Sequence, residues 1–386
     1  MGLIVTYLKF RCEHFKAGNI QHCLTLWRNI TSDKTILQTV IGATIDFNET
    51  PQLCCPPPTQ FSDHEIEIID REIAIMLSKN IIEVARHTEG EVISHIFTRP
   101  KKDGCHRVIL NLKGLNEYVT YHHFEMETLR SIVKLVEKDC FMASLDLKDA
   151  YYSVAVAKPD RKFLRFLWKR VRYQYTCLPN GLSSCPRVFT KLLKPPLARL
   201  RKLGHIIASY IDDLFLQGKT FNQCVPNVIA ALRQFDELGF IIHPGKSILL
   251  PSQRLVLLGF VLNSVDMSIN LTEEKREALH KLCTSLLSKP TVTIRALAQT
   301  IGSLIATFPG VTHGPLYYRA LEGDKTLALR DCNGKFDHHM KLSPPAIQEL
   351  EWWVKNIPTA YNVISHGQPS YTLTTDASHT GWGAVF

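Results

Sequence analysis

Two adjacent acids set inside an apolar run constrain this chain more than any other feature. Tyr210-Ile211-Asp212-Asp213 follows Ile206-Ile207-Ala208-Ser209 and precedes Leu214-Phe215-Leu216. Two β-prone segments around an acidic tip predict a tight hairpin. Side chains on a straight strand alternate faces, so neighbouring acids approach one site only if the chain turns between them. Like charges at such a tip repel, and a divalent cation taken from solvent would relieve the repulsion. The plain alternative is an exposed, solvated turn, a common place for aspartate.

The rest of the chain decides between these readings. Its 386 residues, 45% hydrophobic, are enough for a buried core and two or three domains. Eleven cysteines, an odd number with no CxxC pair, read as reduced intracellular thiols. The histidine pairs His122-His123 and His338-His339 lack zinc-ligand spacing. The sequence holds no transmembrane span and no secretory signal, so an intracellular protein away from membranes is expected, with nucleus or cytoplasm left open. Met1-Gly2-Leu3-Ile4-Val5-Thr6 fits the loose myristoylation pattern, one that chance often produces.

Net charge is +9, and residues 158–202 hold thirteen Lys/Arg against the single acid Asp160. That basic band is interleaved with Phe163, Phe166, Trp168, Tyr173 and Tyr175, a mixture suited to phosphate backbones and base faces. A solvated charged face is the alternative.

Along the chain, Asp33 is placed to cap a short helix through Ile36, Leu37 and Val40. Cys54-Cys55-Pro56-Pro57-Pro58 reads as an extended linker. Ser62 and Glu65 then form a capping box before a helix whose apolar face is Ile66, Ile69, Ile73, Met76 and Leu77. Strands are predicted over Val92–Phe97 and Arg107–Leu110. Between them Arg99-Pro100-Lys101-Lys102-Asp103-Gly104 is a basic hairpin that could fold over a triphosphate or merely protect a sheet edge. A second acid appears in Phe141-Met142-Ala143-Ser144-Leu145-Asp146-Leu147-Lys148-Asp149-Ala150-Tyr151-Tyr152, where a strand ends at Asp146 and a helix is expected at once. Farther on, Pro179-Asn180-Gly181 is a turn, and a helix starting near Pro186 repeats Arg187, Lys191 and Lys194 at a spacing that could track a phosphate strand.

Taken in order, these stretches resemble the motifs of reverse transcriptases. Leu145-Asp146 with Asp149-Ala150-Tyr151, Leu178-Pro179-Asn180-Gly181 with Pro186 and Phe189, and Tyr210-Ile211-Asp212-Asp213 carry the likeness. Lys246 within Leu238–Lys246, Leu258-Gly259-Phe260, and the basic hairpin with Arg107 and Leu115-Asn116 extend it over roughly residues 60–330. Trp27–Asp33 and Glu349-Leu350-Glu351-Trp352-Trp353 look like retrotransposons of the DIRS type.

The resemblance implies an α+β right-hand polymerase fold. Its parts would be an N-terminal extension and linker (1–58), fingers and palm (59–265), thumb-like helices (266–325) and a connecting segment (326–370). Within the thumb, Leu279, Leu282, Leu286 and Leu287 would make an apolar face. Residues 371–386 would be the incomplete start of a ribonuclease H-like domain, with Asp376 its one acid and no ribonuclease H activity expected. The implied reaction adds deoxynucleoside triphosphates to a primer on an RNA or DNA template. Asp146 and Asp212 would hold two Mg²⁺ ions, or Mn²⁺, with Asp213 as the supporting third carboxylate. Lys101 or Lys102 and Arg107 would hold the phosphates, and Asp149 and Ala150 would offer backbone N–H groups. Asn180 would touch the nucleotide, Tyr151 would exclude a ribose 2′-OH, and Lys246 would protonate the leaving pyrophosphate. Arg187, Lys191 and Lys194 would contact the template. The sequence admits two other classes: a catalytically silent, transposon-derived nucleic-acid-binding protein, and an RNA-making polymerase on the same fold, against which Tyr151 speaks.

Overall fold

The computed structural model describes residues 2–52, 59–100, 106–364, 373–378 and 380–385. The expected linker at Cys54–Pro58 and the hairpin tip Lys101–Gly104 lie outside the described residues. Two compact units make up the chain: Met1–Ile132 with Asp139–Leu258, and Val133–Lys138 with Gly259–Phe386.

The first unit contains nine strands that matter for the site: β1 (Ile82–Val84), β2 (Ile96–Pro100), β3 (His106–Leu110), β4 (Phe141–Asp146), β5 (Arg165–Trp168), β6 (Val171–Tyr175), β7 (Ile206–Tyr210), β8 (Asp213–Gly218) and β9 (Ile248–Ser252). The central sheet runs β7-β8-β4-β9, antiparallel throughout. β4 and β8 occupy its middle and are nearly continuous apolar runs, with Met142, Ala143, Leu145, Leu214, Phe215 and Leu216 all buried. A strand buried on both faces needs that composition rather than an alternation. Helices Cys185–Lys202 and Phe221–Glu237 pack on the sheet, and Gln234 Nε2 donates to Pro196 O between them at 2.7 Å.

Local chemistry sets the helix starts. The Ser62–Glu65 capping box forms as expected, and Ile69, Ile73 and Met76 are buried behind it. Asp33 caps Lys34–Ile41 through the N–H groups of Thr35 and Ile36. The N-terminal residues contribute to the same core as the sheet: Leu8, Phe15, Ile20, Trp27 and Val40 are all buried in it. Trp27 Nε1 donates to Leu238 O at 3.2 Å, so this segment is sewn to the chain just before β9.

Three local expectations are corrected. No α-helix follows Asp146; Asp149 takes a left-handed conformation (φ 47°), and the chain enters a short 3₁₀ turn, Ala150–Ser153. The first hairpin strand is Ile96–Pro100 rather than Val92–Phe97, because Ile93 bridges instead to Arg165, the first residue of β5. In the second unit, helix Glu273–Leu287 buries Leu279, Cys283 and Leu286, an i, i+4, i+7 stripe, and leaves Leu282 and Leu287 only half-buried.

That second unit also contains helices Ile294–Ile305, Arg319–Asp331 and Pro344–Asn356. Strands Phe260–Asn263, Ser268–Leu271 and Tyr361–Val363 pair antiparallel. Trp353 is fully buried, its Nε1 donating to Tyr317 O at 2.6 Å. Thr374–Ala377 pairs with Trp382–Val385, with Trp382 80% and Val385 73% exposed. Among the described residues, no helix is long and apolar enough to cross a membrane.

Candidate active site

The β7–β8 hairpin closes through Ile211 and Asp212, with Tyr210 paired to Asp213. Ile211 has φ +55° at the first loop position, where glycine is usual. A β-branched residue held there is strained, and such strain persists only where the surroundings over-determine it. The surroundings are visible: Leu147 N–H donates to Asp212 O at 2.9 Å, which ties the tip to the end of β4. Asp146, the last residue of β4, is the cross-strand partner of Asp213. Its backbone is fixed on the other side, where its O accepts from His243 N–H at 2.8 Å and its N–H donates to Ser247 Oγ at 3.0 Å. Lys246 Nζ stands 3.9 Å from Asp146 Oδ2.

Three partly buried carboxylates thus share one corner. Burial raises the proton affinity of Asp146, with the Asp212 charge adding and Lys246 opposing. Burial likewise raises Asp212. Asp213 is pushed up to about 6, first by burial and then by the charges of Asp212 and Asp146. Burial is the first cause at all three, so their charged forms are held there at a desolvation cost. His243 beside it is shifted the other way by burial, and its Nδ1 is buried without a hydrogen-bond partner.

A cleft of about 480 Å³ opens on this corner. Asp146, Asp212, Arg107, Asp149, Ala150, Tyr151, Asn180 and Lys246 all line it, so eight of the residues singled out from the sequence meet in one place. Tyr151 is half-buried with its ring edge-on to Phe189 at 5.6 Å. Tyr152 is buried, and Asn180 Nδ2 donates to its hydroxyl at 3.1 Å. Asn116 clamps the Asn180 turn: its Nδ2 donates to Gly181 O and its Oδ1 accepts from Ser183 N–H, each at 2.9 Å. Asp213 is not among the lining residues, and Lys101 and Lys102 fall outside the described ones. Asp376 is exposed on the terminal hairpin of the second unit.

Sequence reasoning missed Lys79, Lys148 and His243, which also line the cleft. Lys148 could have been found, since it stands between two of the acids. Lys79 closes the helix Asp63–Ser78 and carries no local signal.

The basic band divides. Arg161 pairs with Glu83 at 3.0 Å, Arg165 and Arg172 with Glu91 at 2.5 and 3.0 Å, Lys169 with Asp70 at 2.7 Å and Arg201 with Glu127 at 2.5 Å. These cations are spent on acids from outside the band. On helix Cys185–Lys202, Lys191 and Lys194 are exposed opposite the buried Phe189, Leu192 and Leu193. Arg187 lines a second recess of about 160 Å³ with Tyr121 and His122.

Among the described residues no three His, Cys, Asp or Glu side chains close into a metal cage. Asp146 and Asp212, both lining the cleft, are instead a donor set for a hard cation that keeps other oxygen ligands.

Residues 99–262 match the reverse transcriptase (RNA-dependent DNA polymerase) family. This segment is a reverse transcriptase domain. Such a domain is that of an RNA-directed DNA polymerase, a nucleotidyltransferase. The chain is 27% identical over 147 residues to the Transposon Tf2-3 and Tf2-7 polyproteins of Schizosaccharomyces pombe. That match covers 38% of this chain and 11% of each polyprotein, so the chain spans only about a ninth of these curated relatives. Two solved structures of foamy viral protease-reverse transcriptase are similar in fold. One, in complex with dsDNA, has TM-score 0.66 at 18% identity over 87% of this chain and 66% of that one. The other, with an RNA/DNA hybrid, has TM-score 0.64 at 19% identity over 82% of this chain and 40% of that one. The reverse transcriptase domain therefore sits in an α+β right-hand polymerase fold.

Proposed function

We propose that this protein extends a primer 3′-OH with deoxynucleotides on an RNA or DNA template, and that it comes from a retrotransposon. The observation that carries this reading is the meeting of Asp146 and Asp212 with Arg107, Tyr151 and Asn180 on one cleft. Asp146 and Asp212 would hold Mg²⁺, or Mn²⁺; their hard oxygens, kept charged against burial, fit such an ion. Two ions bound there would activate the primer hydroxyl and hold the triphosphate and leaving pyrophosphate.

The chain's own groups do the rest. Asp213, opposite Asp146, adds negative charge to the corner without facing the cleft. Arg107, with Lys101 or Lys102, neutralises the incoming phosphates. Asp149 and Ala150 turn the chain so that backbone N–H groups are offered to them. Tyr151, fixed by Phe189, closes the sugar side, and Asn180 touches the nucleotide. Lys246, within reach of Asp146, holds a proton for the leaving group. Arg187, Lys191 and Lys194 follow the template backbone. We read Trp27–Asp33 and Glu349–Trp353 as DIRS-type features, and residues 371–386 with Asp376 as the incomplete start of a ribonuclease H-like domain.

The test is primer extension by the purified chain with Mg²⁺ on RNA and DNA templates. Template-dependent deoxynucleotide addition supports the reading; template binding without extension would favour the silent binder.

A further inference from the structure

The stretch from Cys12 to Gly18 lies outside the segment that matches the reverse transcriptase family, yet it holds the cleft at three points. Lys148 Nζ donates to Cys12 O at 3.0 Å. Ala17 N–H donates to Lys79 O at 2.9 Å, and Gly18 N–H donates to Tyr152 O at 2.8 Å. Lys79, Lys148 and Tyr152 all line the cleft. Gly18 is left-handed (φ +70°), and a Cβ there would come within 3.1 Å of Ala155 Cβ, so the approach admits only glycine without strain.

Lys148 is the hinge of this arrangement. It stands between Asp146 and Asp149, and its backbone N–H donates to Ile241 O at 2.7 Å. Cys12 Sγ contacts the next carbonyl, Ile242 O, at 3.4 Å. One lysine therefore joins the acidic turn, the Ile241–Ile242 strip and the N-terminal helix. Its acceptor lies in the last turn of helix Gly2–Glu13, where carbonyls lack intrahelical partners and the helix dipole favours a cation. The helix is itself pinned to Asp236 by Arg11 at 2.9 Å and by the Tyr7 hydroxyl at 2.8 Å.

We propose that Cys12–Gly18 is the rear brace of the catalytic cleft and that Lys148 is a positioning residue. Lys148 carries the placement of the N-terminal helix into the turn that follows Asp146. Its charge is directed at a carbonyl, not at the incoming phosphates. This inference rests on the polymerase reading given above.

The test compares Lys148→Met, Lys148→Arg and deletion of residues 2–13, singly and combined, in single-nucleotide insertion by the otherwise full chain. Lys148→Met should lower kcat about tenfold or more, with the nucleotide KM within about twofold, because misplacement near reacting groups acts on kcat. Lys148→Arg should restore most of the rate. In the deletion background Lys148→Met should add little, since the acceptor is already gone. A raised KM at unchanged kcat would place Lys148 on the nucleotide and overturn the proposal, as would full multiplicative effects in the combined variant. Amide hydrogen exchange over Asp146–Tyr152 provides a readout independent of catalysis. Lost protection in Lys148→Met at unchanged Tm supports the brace, and unchanged protection overturns it. Absence of extension by the wild type would sink the polymerase reading while leaving the exchange result to decide the brace.

Discussion

Asp146 and Asp213 stand directly opposite each other at the ends of β4 and β8, yet of the two only Asp146 lines the cleft. Like charges opposite each other across a sheet are destabilising. Asp212, one residue earlier, is carried by the Ile211 turn to the cleft instead. The hairpin thus separates two neighbouring acids into a cleft-facing one and a supporting one.

Asp212→Asn should abolish Mg²⁺-dependent extension and leave template binding nearly intact. The change keeps size but removes one of the two carboxylates assigned to the metal. Extension within about tenfold of wild type, a barrier change of only ~1.4 kcal/mol, would count against the assignment.

Asp213→Asn should stabilise the metal-free protein at pH 7. The Asp213 carboxyl binds its proton more tightly folded than unfolded, with a folded value of about 6 against an ordinary 3.8. Its contribution to stability is therefore fully present below about pH 4 and lost as pH rises through about 6. The asparagine variant removes that loss, so its Tm at pH 7 should exceed wild type by a few degrees, at about 2–4 °C per kcal/mol. The gap should close toward pH 4 and narrow when Mg²⁺ is added. Thermal melts from pH 4 to 7 decide it; a gap that does not depend on pH would show that the carboxylate charge is not the cause.

Tyr151→Ala should raise ribonucleotide incorporation relative to deoxynucleotide. Tyr151 is half-buried at the cleft wall and buttressed by Phe189, whereas Tyr152 is buried behind it. Single-nucleotide insertion with paired ribo- and deoxyribonucleotides measures the ratio, and an unchanged ratio makes Tyr151 a packing residue.

Replacing Arg187, Lys191 and Lys194 together with alanine should flatten the dependence of template affinity on salt. Every duplex phosphate that the protein no longer neutralises takes up to about 0.9 off the log–log slope. Arg161, Arg165, Lys169 and Arg172 are already paired with Glu83, Glu91 and Asp70, so their replacement should unfold or soften the first unit rather than change that slope. Titrations at several salt concentrations separate the two sets; an unmoved slope for the helix variant would take those side chains off the nucleic acid.

The sequence by itself determined what residues a few positions apart decide. The Ser62–Glu65 box, the Asp33 cap and the turn at Asp212 follow from short-range hydrogen bonding and chain geometry, which any tertiary context inherits. Motif order added the expectation that Asp146 belongs beside the hairpin acid; no local rule contains it. Tertiary structure decided the rest, because those contacts join segments far apart in the chain. It paired Asp146 with Asp213, left Asp149 in a left-handed turn where a helix was expected, and spent several band cations on Glu83, Glu91 and Asp70. It also gave Lys148 a carbonyl of the N-terminal helix as its partner. A charge or a lysine read from sequence has no partner until the fold supplies one, and the partner determines whether it binds a ligand or holds the protein together.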